Sequence, residues 1–204
     1  MVSDTGSCVR SLPQILRIAR NKSAAGLSIS SFVSELAAYV ITTAYNYRNG
    51  YPFSTWGDVL IVSVQHGLLI LMTFKYNKEL PARVKAFILV FITFGAYFVF
   101  SNYCSMYQLA LLQAFSVLLL ALGGRIPQIV LNIRRGNSGE LSIISTGLSL
   151  AGNLARVFTT LVLVGDPIIL ASAASQLLLN SILMYQILET EKNSRSEEVV
   201  HALP

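Results

Sequence analysis

The sequence has few charged residues and few cysteines. Only 12% of its 204 residues are charged, against about 25% in ordinary soluble domains. A soluble fold of this length needs a polar outer surface, and these charges are too few to build one. The two cysteines, Cys8 and Cys104, are also too few for a disulfide framework. The composition therefore argues against both a soluble domain and a disulfide-stabilised secreted one.

Catalytic and metal-binding patterns are missing as well. The sequence contains no nucleophile elbow, no HExxH motif, no Walker loop and no dinucleotide-binding glycine pattern. Its two histidines do not have metal-ligand spacing with the cysteines. We therefore expect no enzyme, no metal and no cofactor.

Long apolar runs dominate what is present. Hydrophobic residues make up 53% of the chain, and a helix needs about 20 such residues to cross a bilayer. The runs do not alternate as transmembrane strands do. The sequence thus predicts an all-α membrane protein with six clear spans: Ser28–Tyr47, Gly57–Phe74, Val84–Ser101, Met106–Ile133, Ser142–Leu163 and Pro167–Leu188.

An internal repeat adds a seventh span. Leu12-Pro13-Gln14-Ile15 recurs as Ile126-Pro127-Gln128-Ile129, and Leu27 and Leu141 share the same 114-residue offset. Two matched blocks in one register indicate a duplication. In this register Met1 aligns with Phe115, whereas the partner helix begins near Met106. The N-terminal helix is therefore short. We favour truncation over a genuinely short, tilted helix.

The predicted architecture is seven transmembrane helices arranged as two parallel repeats. Residues 1–74 form the first three-helix repeat, 75–105 the linking helix, 106–188 the second three-helix repeat and 189–204 a polar cytosolic tail. Parallel repeats of this kind are known in membrane transporters.

Loop charge predicts the orientation. The loops of one side carry a single basic residue, Arg48, whereas the loops and tail of the other side carry eleven. An excess of Lys and Arg marks the cytosolic side, so the net charge of +5 reflects topology and not nucleic-acid binding. We expect the Arg48 side and the N-terminus to be lumenal or external. The eleven are Arg17, Arg20, Lys22, Lys75, Lys78, Arg83, Lys85, Arg134, Arg135, Lys192 and Arg195.

The two Pro-Gln pairs are the first candidate functional residues. A proline within a membrane helix removes one backbone hydrogen bond and bends the helix. Pro13 and Pro127 are interpreted either as paired hinges for alternating access or as fixed kinks. Gln14 and Gln128 are placed to hydrogen-bond across the repeat interface.

Three charges lie more than five residues inside the ends of the predicted spans, where an ionisable side chain is costly. Glu35 and Arg125 lie about 12–13 Å from the cytosolic end of their helices, from a rise of about 1.5 Å per residue. Their matched depth predicts an ion pair, either functional or only structural. Arg156 lies nearer the other end. It either extends its charge to the lipid headgroups or binds a lipid phosphate.

Three other features favour structural roles. His66 is interpreted as a buried, hydrogen-bonded histidine, and Asp58 as the cap of the helix that it begins. Four aromatic residues near one membrane face predict an interfacial belt: Tyr47, Tyr51, Phe53 and Trp56.

The paired Pro-Gln motifs resemble the PQ-loop family, which includes cystinosin and SWEET relatives. A narrower resemblance, to the mannose-P-dolichol utilization defect family, extends over nearly the whole chain. Asp58 stands where that family is expected to have glutamate, so the charge is kept. The runs that carry the narrower resemblance are Lys22–Ser28 with Glu35-Leu36, Pro52–Asp58, Leu154–Thr159 and Gly165-Asp166-Pro167.

The narrower resemblance implies a non-enzymatic protein of the endoplasmic reticulum membrane. Such a protein is needed to use dolichol-phosphate-mannose and dolichol-phosphate-glucose in lumenal glycosylation, and its partner is a dolichol-linked sugar. The alternative is a SWEET- or cystinosin-like transporter of a small sugar or amino acid, and a third hypothesis is a scaffold without a ligand. Arg125 precedes the second Pro-Gln and no acid lies in that helix, which disfavours a proton-coupled cystine exporter.

Overall fold

The computed structural model describes residues 18, 20, 29–77, 80–121, 125–136 and 143–201. Within these ranges the regular structure is entirely helical. Seven α-helices follow one another along the chain: α1 Ile29–Arg48, α2 Gly57–Tyr76, α3 Ala82–Phe100, α4 Met106–Leu120, α5 Ile126–Arg135, α6 Ile143–Thr159 and α7 Pro167–His201.

Local sequence explains where these helices begin and end. α1 stops at Asn49-Gly50, where Gly50 adopts φ 72°, a left-handed conformation that suits glycine. α4 starts with a capping box: the Ser105 hydroxyl accepts from the Gln108 amide at 3.2 Å, and the Gln108 side chain accepts from the Ser105 amide at 2.9 Å. Both bonds satisfy donors that a helix start leaves open.

Four helical segments are long and apolar enough to cross a bilayer within the described part of the chain. They are Gly57–Tyr76, Ala82–Phe100, Thr146–Val164 and Pro167–Lys192. The apolar stretch Met106–Leu118 is shorter, and α1 is not among the four. A multi-pass membrane protein follows from these helices. The full set of seven crossings stays a prediction.

The predicted span Met106–Ile133 contains α4 and α5, and residues 122–124 between them lie outside the described residues. Pro127 is the second residue of α5. The hinge and fixed-kink interpretations of Pro127 both stay open. Pro13 and Gln14 lie outside the described residues, and Gln128 is half-buried on α5.

α1 and α7 organise the packing. α1 packs against α2, α3 and α4, and α7 packs against α6, α4 and α5. One apolar core cluster contains residues of the first repeat, the linking segment and the second repeat: Ala44, Tyr45, Val99, Cys104, Leu109 and Ile169. The two repeats thus share a core at the end of the molecule where α1 finishes and α7 begins. α7 also continues to His201, so the polar tail begins as helix.

Candidate functional site

The polar contacts between the repeats gather at the end that carries Arg48, Tyr51 and Asp166, which we name the charge-poor end. Its first element is Asp166, between Gly165, with φ 67°, and Pro167. The Asp166 Oδ1 atom accepts from the amides of Ile168 at 2.7 Å and Ile169 at 3.0 Å. Asp166 therefore caps α7 and satisfies two of its open donors.

The other oxygen of Asp166 reaches across to the first repeat. Oδ2 accepts hydrogen bonds from the hydroxyls of Tyr45 and Tyr51, each at 2.7 Å. Burial and the bond to Asp166 raise the pKa of Tyr51 to about 12. Burial alone would raise the pKa of Asp166, but its hydrogen bonds from Tyr51, Tyr45 and two amides outweigh that and lower it. Both shifts favour a neutral tyrosine beside an ionised aspartate.

A second contact links the repeats at the same end. Arg156 on α6 donates from Nη2 to Oδ2 of Asp58 in the first turn of α2. The predicted capping role of Asp58 is wrong, because α2 begins at Gly57 and its N-cap residue is Trp56. Asp58 is the second residue of the helix, and its carboxylate contacts Arg156. Sequence reasoning singled out both residues but did not pair them.

Arg48 and Trp56 complete the charge-poor end. One guanidinium nitrogen of Arg48 donates to the carbonyls of Val99 at 3.1 Å and Cys104 at 2.7 Å, which satisfies the end of α3.

Trp56 is buried, with its Nε1 donating to the carbonyl of Tyr51 at 3.0 Å. Trp56 is therefore a packing residue, and of the four predicted belt residues only Tyr47 and Phe53 are exposed.

The interior of the first repeat contains a second polar pair. His66 on α2 is 3% exposed. Its Nδ1 lies 3.0 Å from the carbonyl of Val62, and its Nε2 lies 3.0 Å from Oε2 of Glu35. The prediction of a buried, hydrogen-bonded histidine is confirmed. The pairing of Glu35 with Arg125 stays a prediction. The described residues contain no group of three or more His, Cys, Asp or Glu side chains that could bind a metal ion.

The repeat register relates this pair to a site in the second repeat. Asn180 lies 114 residues after His66 and is 1% exposed. Its Nδ2 donates to the Gln176 carbonyl at 2.8 Å, and its Oδ1 has no hydrogen-bond partner within the described structure. Sequence reasoning missed Asn180, although the 114-residue offset was a signal that could have found it.

The helices before these two residues match as well. Tyr39, on α1, packs its ring against His66 with 5.1 Å between ring centroids. Asn153 lies 114 residues later, on α6, and donates to the same Gln176 carbonyl at 3.4 Å. Each repeat therefore places polar side chains at equivalent positions of two adjacent helices.

Comparison with known proteins agrees with the duplicated architecture. The PQ loop repeat matches residues 1–55 and 111–169, which together make up more than half of the chain. The chain is also 27% identical to human solute carrier family 66 member 3 over 198 residues, covering 96% of this chain and 95% of that protein. With two matched segments, one in each half, the chain belongs to the PQ-loop repeat family.

Proposed function

We propose that this protein is a non-enzymatic factor of the endoplasmic reticulum membrane that presents or translocates dolichol-phosphate-mannose and dolichol-phosphate-glucose. One observation carries the proposal. Three runs that carry the resemblance to the dolichol-related family, Pro52–Asp58, Leu154–Thr159 and Gly165–Pro167, come together at the charge-poor end. Asp58 of the first run contacts Arg156 of the second, and Asp166 of the third binds Tyr51, next to the first run.

The chemistry of this end suits a lipid-linked phosphate. A guanidinium recognises phosphate through paired hydrogen bonds, and Arg156 remains 31% exposed beside Asp58. The segment Thr146–Val164 around it is apolar and almost wholly unburied within the protein, so a polyprenyl chain can stay in the surrounding lipid. The head group then lies at the interface of the two repeats while the apolar chain remains outside.

The test is complementation of cells defective in the use of dolichol-phosphate-mannose. Arg156→Gln should reduce lipid-linked sugar use about tenfold or more, because a charged hydrogen bond contributes about 1.5–3 kcal/mol. Arg156→Lys should reduce it less, since lysine keeps the charge but loses the planar fork. The matched control is Arg134→Gln, at an exposed arginine of the opposite end, which should leave activity unchanged.

Protein abundance and thermal stability are measured for every variant. Equal activity of the Lys variant would show that Arg156 only extends its charge to the lipid headgroups. Full activity of the Gln variant at normal abundance would remove Arg156 from the mechanism.

A second candidate function is transport of a small sugar or amino acid. The observation that favours it is the equivalent burial of His66 and Asn180, one polar side chain in each repeat. Transporters built from internal repeats bind their substrates near the bilayer midplane, between the repeats. The unpartnered Oδ1 of Asn180 is an acceptor for a hydroxyl or ammonium group, and the human relative carries the name of a solute carrier.

Flux into proteoliposomes tests this second function. With a panel of radiolabelled sugars and amino acids, Asn180→Leu should lower the flux of the transported compound to the level of empty liposomes, because the buried acceptor is lost. Asn46→Leu is the control, since Asn46 is also a buried asparagine that donates to the carbonyl four residues earlier. Flux of no compound by the unsubstituted chain would contradict the transporter hypothesis.

A further inference from the structure

We propose that Asp58 occupies, in the ligand-free protein, the place at Arg156 that the phosphate of a ligand takes, so that binding exchanges one anion for another. The inference rests on the proposed function and concerns the regulation of the same site. The ligand class is a phosphate ester on a long apolar chain, and a free phosphate shares its anionic chemistry.

The contact leaves much of the guanidinium available. Arg156 meets Asp58 through Nη2 alone, and a guanidinium carries five N–H donors. No other side-chain partner of Arg156 is present in the described part of the chain. A phosphate oxygen pair can engage the unused donors first and then replace the carboxylate, because phosphate accepts two parallel bonds from arginine.

Exposure indicates the side from which a ligand arrives. The Arg156 side chain is 31% exposed, whereas that of Asp58 is 12% exposed. The cation is therefore reached from outside, with the carboxylate behind it. When Arg156 turns to a ligand, Asp58 stays in the first turn of α2, where the helix dipole stabilises a negative charge. The N-cap residue Trp56 supplies no side-chain cap, and the amides of Val59 and Leu60 donate to the Trp56 carbonyl, so the stabilisation comes from the dipole.

The exchange also changes the contact between the repeats. Asp58 belongs to the first repeat and Arg156 to the second, and their pair is one of two polar links that the described residues make at the charge-poor end. The other is Asp166 with Tyr45 and Tyr51. Phosphate binding removes the first link and keeps the second. Ligand binding is thus coupled to a loosening of the repeat interface without separation of the repeats.

The experiment measures binding to the purified chain in lipid nanodiscs. The probes are citronellyl phosphate, inorganic phosphate and the uncharged alcohol citronellol. Asp58→Asn should bind citronellyl phosphate about fivefold more tightly or better, because a unit charge about 4 Å from the anion is removed. Glu189→Gln removes the same unit of charge at an exposed position near the opposite end of the Pro167–Lys192 span and should leave the affinity within about twofold. Arg156→Gln should abolish the gain.

Whether Asp58→Asn raises or lowers the affinity for citronellyl phosphate decides between the exchange and a purely orienting role of Asp58. If Asp58 only orients Arg156, Asp58→Asn will bind the phosphate probe more weakly or equally, and the exchange is overturned. If Asp58→Asn does not fold, Asp58→Ser provides a second neutral residue suited to a helix start. Binding of citronellol as tight as that of citronellyl phosphate would also overturn the exchange.

Two further outcomes separate the ligand sources and the two proposals. A gain seen with inorganic phosphate but not with the citronellyl ester supports the exchange and assigns the site to a free anion. A gain with the ester, together with failure of the unsubstituted chain to complement the dolichol-defective cells, supports the exchange and removes the dolichol function.

Discussion

Asp166→Ala is expected to lower the free energy of unfolding by about 3–5 kcal/mol, from the loss of a helix cap and of hydrogen bonds to a charged acceptor. The aspartate accepts two amide bonds from α7 and two hydroxyl bonds from the first repeat. Asp166→Asn should lose about 1–2 kcal/mol, because asparagine still caps a helix but is uncharged. Chemical or thermal unfolding in detergent measures both changes.

Tyrosine variants measure how much of this loss of stability comes from the hydrogen bonds that join the repeats. Tyr45→Phe and Tyr51→Phe each remove one donor to Asp166 and should each cost about 1–2 kcal/mol. Tyr103→Phe is the control, because Tyr103 is an exposed tyrosine of the same end. Equal stability of all three phenylalanine variants would contradict the role of Asp166 as a link between the repeats.

The same link predicts how stability depends on pH. Because the pKa of Asp166 is lowered in the folded protein, its contribution is fully present above the ordinary value of 3.8 and is lost as pH falls through the lower folded value. The pKa of Tyr51 is raised from 10.0 to about 12, so its contribution is present below pH 10 and declines as pH rises toward 12. Asp166→Ala should therefore be less sensitive to acid than the unsubstituted chain.

Sequence reasoning located the helices well because short, local signals end them. Asn49-Gly50 separates α1 from α2, and Gly165-Asp166-Pro167 separates the two last spans, as predicted. At Met106–Ile133 the described residues form α4 and α5, with residues 122–124 outside the described part of the chain, so a single continuous span stays a prediction. A continuous apolar run shows how much chain can lie in lipid, but does not show whether one helix or two fill that length.

The contacts of the candidate site were harder to predict because they join distant positions. Asp58 and Arg156 lie 98 residues apart, and Tyr45 and Asp166 lie 121 apart. The repeat offset of 114 residues relates equivalent positions, such as His66 and Asn180, and does not identify touching ones. Residue type also misled the interpretation of Trp56, because tryptophan suits an interface as well as a buried position with a partner for its N–H.

The donors and acceptors of the hydrogen bonds at Glu35 and His66 can be assigned from their chemistry. The carbonyl of Val62 can only accept, so Nδ1 of His66 must carry a hydrogen for this 3.0 Å contact. At the second contact either Nε2 donates to an ionised Glu35, or a protonated Glu35 donates to Nε2. In both cases a hydrogen bond joins Nε2 and Oε2, so neither atom is left without a partner in the interior of a membrane protein, where an unpaired polar group is costly.

Glu35→Gln is therefore expected to change stability little, whereas Glu35→Leu should cost about 1–3 kcal/mol by leaving a buried ring nitrogen without a partner. The glutamine amide can donate to Nε2 of a neutral His66, and leucine cannot. Double-mutant cycles compare His66, the observed partner of Glu35, with Arg125, the partner expected from the sequence. Glu35→Leu with His66→Leu should show a coupling energy of about 1–3 kcal/mol, because the second change removes the orphaned nitrogen. The parallel cycle with Arg125→Leu tests the ion pair expected from matched depth. If the stability losses at Glu35 and Arg125 are coupled while those at Glu35 and His66 are additive, the ion pair is the main partnership of Glu35. A hydrogen bond that contributes to stability cannot give independent losses at its two ends.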